Sequence, residues 1–131
     1  MNNKLTSLLL GPSLAAALAV TLPATTLAAD TEPEAPYVTS PDYVVDKMLE
    51  LGNVGPGDYV IDLGSGDGRI AIAAAQQGAF ALGVEIDPEL VRRSRDNAAE
   101  AGVADRVMFL EQDLFKTDIS DASVVMMYLL H

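Results

Sequence analysis

Cysteine is absent from this 131-residue chain, and histidine occurs once, at position 131. Without cysteine the chain can form no disulfide, no thiolate metal site and no cysteine nucleophile. A single histidine provides no set of imidazole ligands, so we expect no metal site. These absences direct attention to chemistry that rests on carboxylates, backbone groups and a bound cofactor.

Basic residues are also scarce, with 8 Lys and Arg against 19 Asp and Glu, and the formal net charge is -11. An acidic surface repels phosphate backbones, so we expect no nucleic-acid partner. It tolerates basic proteins and cationic small molecules, and the charge therefore favours a cationic ligand. A solvated acidic surface without any partner is the simpler explanation of the same charge.

The N-terminus has the pattern of an export signal. Lys4 is the one charged residue before Asp30, residues 5–22 are mostly apolar, and small residues follow at positions 28 and 29. These features predict a signal peptide over residues 1–29, cleaved after Ala28 or Ala29. We therefore expect the mature protein in the periplasm or cell envelope, without a stable membrane anchor.

An uncleaved anchor is the alternative for the same segment. Residues 11–13, Gly-Pro-Ser, interrupt its apolar run and make it a poor membrane-spanning helix. Residues 30–39, with two prolines and two glutamates, predict a linker, and residues 40–131 predict the folded domain.

Short apolar runs bounded by glycine then alternate with helical patterns. Ser40 is a predicted helix cap with Pro41 at the first helical position, and Asp87 is the predicted N-cap of a later helix. The pattern predicts helices over 40–51, 69–77 and 88–101, a short helix within 116–121, and strands over 59–63, 80–86, 107–110 and 123–130. This order predicts an α/β fold, a Rossmann-like, doubly wound parallel sheet with helices on both sides.

The chain ends directly after the fourth predicted strand, which is apolar throughout. An internal strand of a parallel sheet is covered on both faces. We therefore expect about four strands of a larger sheet, with a domain that is incomplete at its C-terminus.

The strongest motif is Asp-Leu-Gly-Ser-Gly-Asp-Gly at residues 62–68, between the first strand and its helix. Glycines there let the backbone turn sharply and approach a ligand, and the helix N-terminus offers free N–H donors. A dinucleotide fingerprint needs a third glycine where this chain has Arg69. A nicotinamide-dependent oxidoreductase is therefore an improbable alternative.

Acids at successive strand ends favour S-adenosylmethionine, which carries an ammonium, a sulfonium, a ribose diol and an adenine. Asp62 suits a positive group near the loop. Glu85 stands at the spacing from which a carboxylate accepts ribose hydroxyls. Asp113 could accept from the adenine amino group, and the N–H of Leu114 could donate to the adenine ring.

Residues 62–68, together with Gly-Val-Glu-Ile-Asp at 83–87, resemble the motifs of class I, seven-strand S-adenosylmethionine-dependent methyltransferases. With residues 40–49 included, the chain is similar to the branch of mitochondrial-type protein-lysine methyltransferases and their bacterial relatives. Members of that branch act on the ATP synthase c-subunit or the adenine nucleotide translocase. The resemblance implies a methyltransferase that uses S-adenosylmethionine, with a protein lysine as acceptor.

The resemblance also implies roles for individual residues. Tyr128 would stand near the methyl-transfer site, although an aromatic residue that closes a buried strand is an equally good explanation. No residue presents itself as a dedicated base. A non-catalytic module that binds S-adenosylmethionine or another nucleoside in the envelope is the alternative function. The implied cofactor contacts are Asp62, Gly64, Gly66 and Gly68, with Glu85 for the ribose and Asp113 for the adenine.

Overall fold

The short apolar runs form the strands, and the segments between them form the helices. The computed structural model describes residues 37–129, so the predicted signal peptide and most of the predicted linker lie outside the described residues. No helix within 37–129 is long and apolar enough to cross a membrane. The elements are α1 (Asp42–Leu51), β1 (Tyr59–Leu63), α2 (Arg69–Gln76), β2 (Phe80–Glu85), α3 (Pro88–Glu100), β3 (Val107–Glu111), a 3₁₀ turn (Leu114–Lys116) and β4 (Val124–Met127).

The four strands form one parallel sheet in the order β3-β2-β1-β4. β1 lies inside the sheet, with Asp62 opposite Gly83 of β2 on one side and Met126 of β4 on the other. Every connection between strands passes through helical or irregular segments, as parallel pairing requires. The predicted α/β fold with a Rossmann-like parallel sheet is confirmed.

The two faces of the sheet differ in how they are covered. Helices α1, α2 and α3 all pack on one face, which we call the helical face. The other face, which we call the open face, holds a small buried cluster of Ile61, Leu63 and Val84. Helices were expected on both faces, and residues 37–129 supply them on the helical face alone.

Several element ends differ from the predicted ones. Pro41, expected inside α1, is its N-cap, because its carbonyl oxygen accepts from the amides of Val44 and Val45. Asp87 is confirmed as the N-cap of α3, since its carboxylate accepts from the Glu89 amide at 2.8 Å. β4 ends at Met127, and the 3₁₀ turn lies just before the short helix expected within 116–121.

Candidate functional site

A cleft of about 550 Å³ lies at the carboxyl ends of the strands. Its position follows from the strand order, because β2 and β4 leave β1 on opposite sides and the chain therefore reverses direction across the sheet there. Open parallel sheets bind ligands in the crevice at such a reversal. The volume is in the range that small-molecule sites occupy.

The glycine loop, residues 64–68, forms the floor of this cleft. Gly64, Gly66 and Gly68 all have positive φ, which glycine adopts without steric cost. The amides of Gly64 and Ser65 both donate to the Val84 carbonyl at 2.9 Å, which fixes the loop on β2. A Cβ atom at Gly64 would collide with the Leu129 side chain, so this position has no room for a side chain.

Glu85 ends β2 and holds the glycine loop from the side. Its Oε2 accepts from the Gly66 amide at 2.9 Å. Its Oε1 accepts from the amides of Ile86 and Asp87 at 2.8 and 3.0 Å. A carboxylate has about four acceptor directions, so this one is oriented by three bonds and keeps capacity for a ligand hydroxyl.

Asp113 and Leu114 stand together in the cleft wall beyond β3. The Asp113 carboxylate accepts from the Phe115 amide at 2.9 Å and so caps the 3₁₀ turn. The Lys116 ammonium lies 3.7 Å from its second oxygen. The structure therefore brings four predicted contacts, Gly64, Gly66, Glu85 and Asp113, to one cleft together with Leu114.

Asp62 lies behind the loop and does not line the cleft. Its side chain is 1% exposed, because Asp62 stands two residues after Val60 and therefore points to the same face, the helical face. Neither carboxylate oxygen has a hydrogen-bond partner among the described residues, and the Ser65 hydroxyl has none either. Burial raises the pKa of Asp62 to about 7, with further contributions from the Glu85 and Asp67 charges.

Gly68 also lies behind the cleft, as the N-cap of α2. A Cβ atom there would stand 2.6 Å from Phe109 and 2.8 Å from Ser94, which are both core residues. Gly68 therefore serves close packing between loop and helix in this structure. A direct ligand contact stays a prediction for both Gly68 and Asp62.

Tyr128 follows β4 directly and lines the cleft with Leu129. Its side chain is partly exposed, so it does not close a fully buried strand. A role of Tyr128 in the reaction stays a prediction.

Two parts of the cleft wall were not predicted from the sequence. Tyr37 falls in the predicted linker, yet it lines the cleft together with residues 38–40. In the sequence, Arg69 served only to exclude a dinucleotide fingerprint, yet it also lines the cleft. The one available signal was the pair Tyr37-Val38, two apolar residues next to a polar, proline-rich stretch.

Comparisons with known proteins agree with this geometry. A family model described as the ANTKMT methyltransferase domain matches residues 62–131. A protein-lysine N-methyltransferase from Saccharolobus islandicus is 45% identical over 100 residues, which cover 75% of this chain and 62% of that protein. An adenine nucleotide translocase lysine N-methyltransferase from Mus musculus is 40% identical over 97 residues, which cover 73% of this chain and 42% of that protein.

A solved structure is similar at the level of fold and sequence. It is an RNA methyltransferase from Salinibacter ruber in complex with S-adenosyl-L-homocysteine, with a TM-score of 0.69 and 57% sequence identity. The similar part covers 71% of this chain and 61% of that one. This chain thus spans less than two thirds of the length of each of these three proteins.

Proposed function

Because the chain belongs to the ANTKMT methyltransferase domain family, we propose that its cleft binds S-adenosylmethionine and that the protein methylates a lysine side chain of another protein. The observation that carries the proposal is the meeting of the glycine loop, Glu85 and Asp113 in one cleft. Three separate strand ends contribute these groups, and their acceptors suit a ligand rich in donors.

The charge of the cleft supports this cofactor over a phosphate-bearing one. Among the described residues, its wall carries four carboxylates, and its one guanidinium is paired with one of them. A pyrophosphate would need uncompensated positive charge or free loop amides, but the Gly66 amide is occupied by Glu85. A cationic amino acid and sulfonium would be stabilised by the same acids.

Each part of the wall has a proposed role. Gly64 and Gly66 would give the loop the positive-φ turns that shape the floor beneath the ligand. Glu85 would accept from a ribose hydroxyl, and Asp113 with Leu114 would bind the adenine. When bound, S-adenosylmethionine would supply an electrophilic methyl group to a lysine amine that has already lost its proton: the N–C bond would form as the methyl–sulfur bond breaks, and S-adenosylhomocysteine would leave. Tyr128 and Leu129 stand at the end of β4 and would orient the acceptor, since positioning provides much of the rate in such displacements.

A protein lysine is the acceptor that the relatives and the charge both favour. The two sequence relatives described above carry lysine N-methyltransferase in their names. The solved relative is titled an RNA methyltransferase, but a net charge of -11 disfavours contact with a phosphate backbone. A basic protein segment would be attracted by the same charge.

Calorimetric titration with S-adenosylhomocysteine and with NAD tests the cofactor assignment. We expect binding of the former alone, and about tenfold weaker binding after Glu85→Gln, because one hydrogen-bonded charge is lost. Glu111→Gln is the matched control, since Glu111 stands opposite Glu85 in the register of β3 but does not line the cleft. Equal affinity of Glu85→Gln and the unchanged chain would exclude Glu85 from the site.

A radiolabelled methyl-transfer assay tests the acceptor. Lysine-containing basic proteins, the same proteins with blocked amines, and RNA are offered in parallel, and label is expected in the first alone. Transfer to RNA would exclude the lysine assignment. Binding of S-adenosylhomocysteine without any transfer would instead support the non-catalytic binding module.

We further propose that the protein is exported behind residues 1–29. The support is the single positive charge, the apolar run and the small residues before Asp30. Intact-mass measurement of the product should give a mature N-terminus at Ala29 or Asp30. A membrane-bound product that retains Met1 would establish the anchor instead.

A further inference from the structure

Residues 37–40, which we call the strap, lie across the glycine loop and form part of the cleft wall. Tyr37 packs against Gly66 so closely that a Cβ atom at Gly66 would stand 2.6 Å from the Tyr37 ring. The Gly66 amide is meanwhile held by Glu85 at 2.9 Å. Tyr37, the loop and Glu85 therefore form one continuous surface.

Arg69 ties the strap to the loop through three hydrogen bonds. Its Nε and one terminal nitrogen donate to the two Asp67 oxygens at 3.0 and 2.7 Å. The other terminal nitrogen donates to the Ser40 carbonyl at 2.7 Å. This fork uses the planar geometry of the guanidinium, which a lysine ammonium does not reproduce.

Asp67 is also held by α3. Its carbonyl oxygen accepts from the Asn97 side chain of α3 at 2.9 Å. Burial disfavours its charge, but the hydrogen bonds and charge of Arg69 outweigh burial and hold the pKa of Asp67 below its ordinary value. Burial first, and then the Asp67 charge, raise the pKa of Tyr37, so its hydroxyl stays protonated at neutral pH.

We propose that the strap completes the cofactor cleft, with Tyr37 as a ligand-contacting residue and Arg69 as the positioning residue that holds it through Asp67 and Ser40. The proposal rests on the cofactor site proposed above. The proposal gives Arg69 a positive role. Arg69 stands where a dinucleotide fingerprint has its third glycine, and a glycine there could not reach the strap. An aromatic ring beside Gly66 adds apolar contact to a wall that is otherwise rich in carboxylates.

Direct binding of S-adenosylhomocysteine to the full chain tests Tyr37. We expect Tyr37→Ala to weaken binding about tenfold and Tyr37→Phe by less than about threefold, because the ring provides most of the contact. Tyr43→Ala is the matched control, since Tyr43 is exposed on α1 and does not line the cleft. Its affinity should equal that of the unchanged chain. Melting temperatures without ligand show whether each variant is folded.

A double-mutant cycle tests Arg69. If Arg69 acts through the strap, Arg69→Lys should weaken binding about threefold or more with Tyr37 present, and by less than about twofold with Tyr37→Ala. A general structural role would weaken binding equally in both backgrounds. Backbone 15N order parameters of residues 37–40 in the ligand-free protein should be lower in Arg69→Lys, as a readout independent of the ligand.

The outcomes separate the two proposals. An unchanged chain that does not bind S-adenosylhomocysteine overturns the proposed function and the strap together. If the protein without substitutions binds S-adenosylhomocysteine and Tyr37→Ala binds it with equal affinity, the proposed role of the strap is wrong and the proposed function stands. If Arg69→Lys weakens binding equally with Tyr37 present and with Tyr37→Ala, the positioning role of Arg69 is wrong.

Discussion

The two faces of the sheet carry the same kinds of residue but constrain them differently. On the helical face Phe109 is 2% exposed, whereas Phe80 on the open face is 56% exposed. The helical face also encloses the Asp62 carboxyl group, which has no hydrogen-bond partner within residues 37–129, and two glycines, Gly68 and Gly83, that have no space for a Cβ atom. Tight packing behind the glycine loop thus holds the loop in shape, and the open face contributes little to it.

The largest difference should appear between the two phenylalanines. Phe109→Ala should lower the free energy of unfolding by about 3 to 5 kcal/mol, because it removes a buried ring and leaves a cavity. Phe80→Ala should cost about 1 kcal/mol or less, since its ring is half exposed and stacks loosely under Arg106 at 5.9 Å. Urea denaturation of both variants measures the contrast. Similar losses would show that the open face is packed in solution.

Asp62 should make stability depend on pH. Its pKa of about 7 in the folded protein exceeds the ordinary 3.8, so the native state keeps a proton that the unfolded chain releases. Stability should therefore fall as pH rises from about 4 to 7, and the loss is complete above that range. Asp62→Asn should remove this slope and be more stable at pH 8 by about 2 to 4 kcal/mol.

Asp118→Asn is the matched control for this window, because Asp118 does not contribute to the pKa of Asp62. The Ser120 amide donates to the Asp118 carboxylate at 2.9 Å and lowers its pKa, so its contribution is lost only as pH falls below the ordinary carboxyl range. Between pH 4.5 and 8 this variant should keep the slope of the unchanged protein. If Asp62→Asn keeps the slope as well, the Asp62 carboxylate is ionised in the folded state.

Gly83 of β2 tests how tightly the helical face is packed. It faces Phe109, and a Cβ atom there would stand 2.6 Å from the Phe109 Cε1 and 2.8 Å from the Ser65 hydroxyl. Gly83→Ala should therefore cost about 1 to 3 kcal/mol through overpacking. Gly55→Ala has open space around it and should change stability by less than about 0.5 kcal/mol. Thermal unfolding of the pair decides between packing and a general glycine effect.

These contrasts also indicate what the sequence could predict. The alternation of short apolar runs with helical patterns correctly located four strands and three helices. The acids at strand ends correctly placed Glu85 and Asp113 in one cleft. β1 is apolar at nearly every position, so its pattern does not reveal that Asp62 points toward helices and away from the ligand side. The strap depends on a contact between Arg69 and Ser40, 29 residues apart, which no local pattern contains.

The last contrast lies between two adjacent methionines in β4, and it tests the comparison most directly. Met126 is 4% exposed on the helical face and Met127 is 57% exposed on the open face, so one strand presents both environments in succession. Met126→Thr should cost about 2 kcal/mol or more, because it removes buried apolar volume and introduces a hydroxyl.

Met127→Thr should change the free energy of unfolding by less than about 0.5 kcal/mol, since threonine suits an exposed strand position. The measurement is urea denaturation, with light scattering at several protein concentrations beside it. A large loss for Met127→Thr that grows with protein concentration would mean that the open face is buried against another copy of the chain. A large loss that is independent of concentration would mean that it is buried within the chain itself.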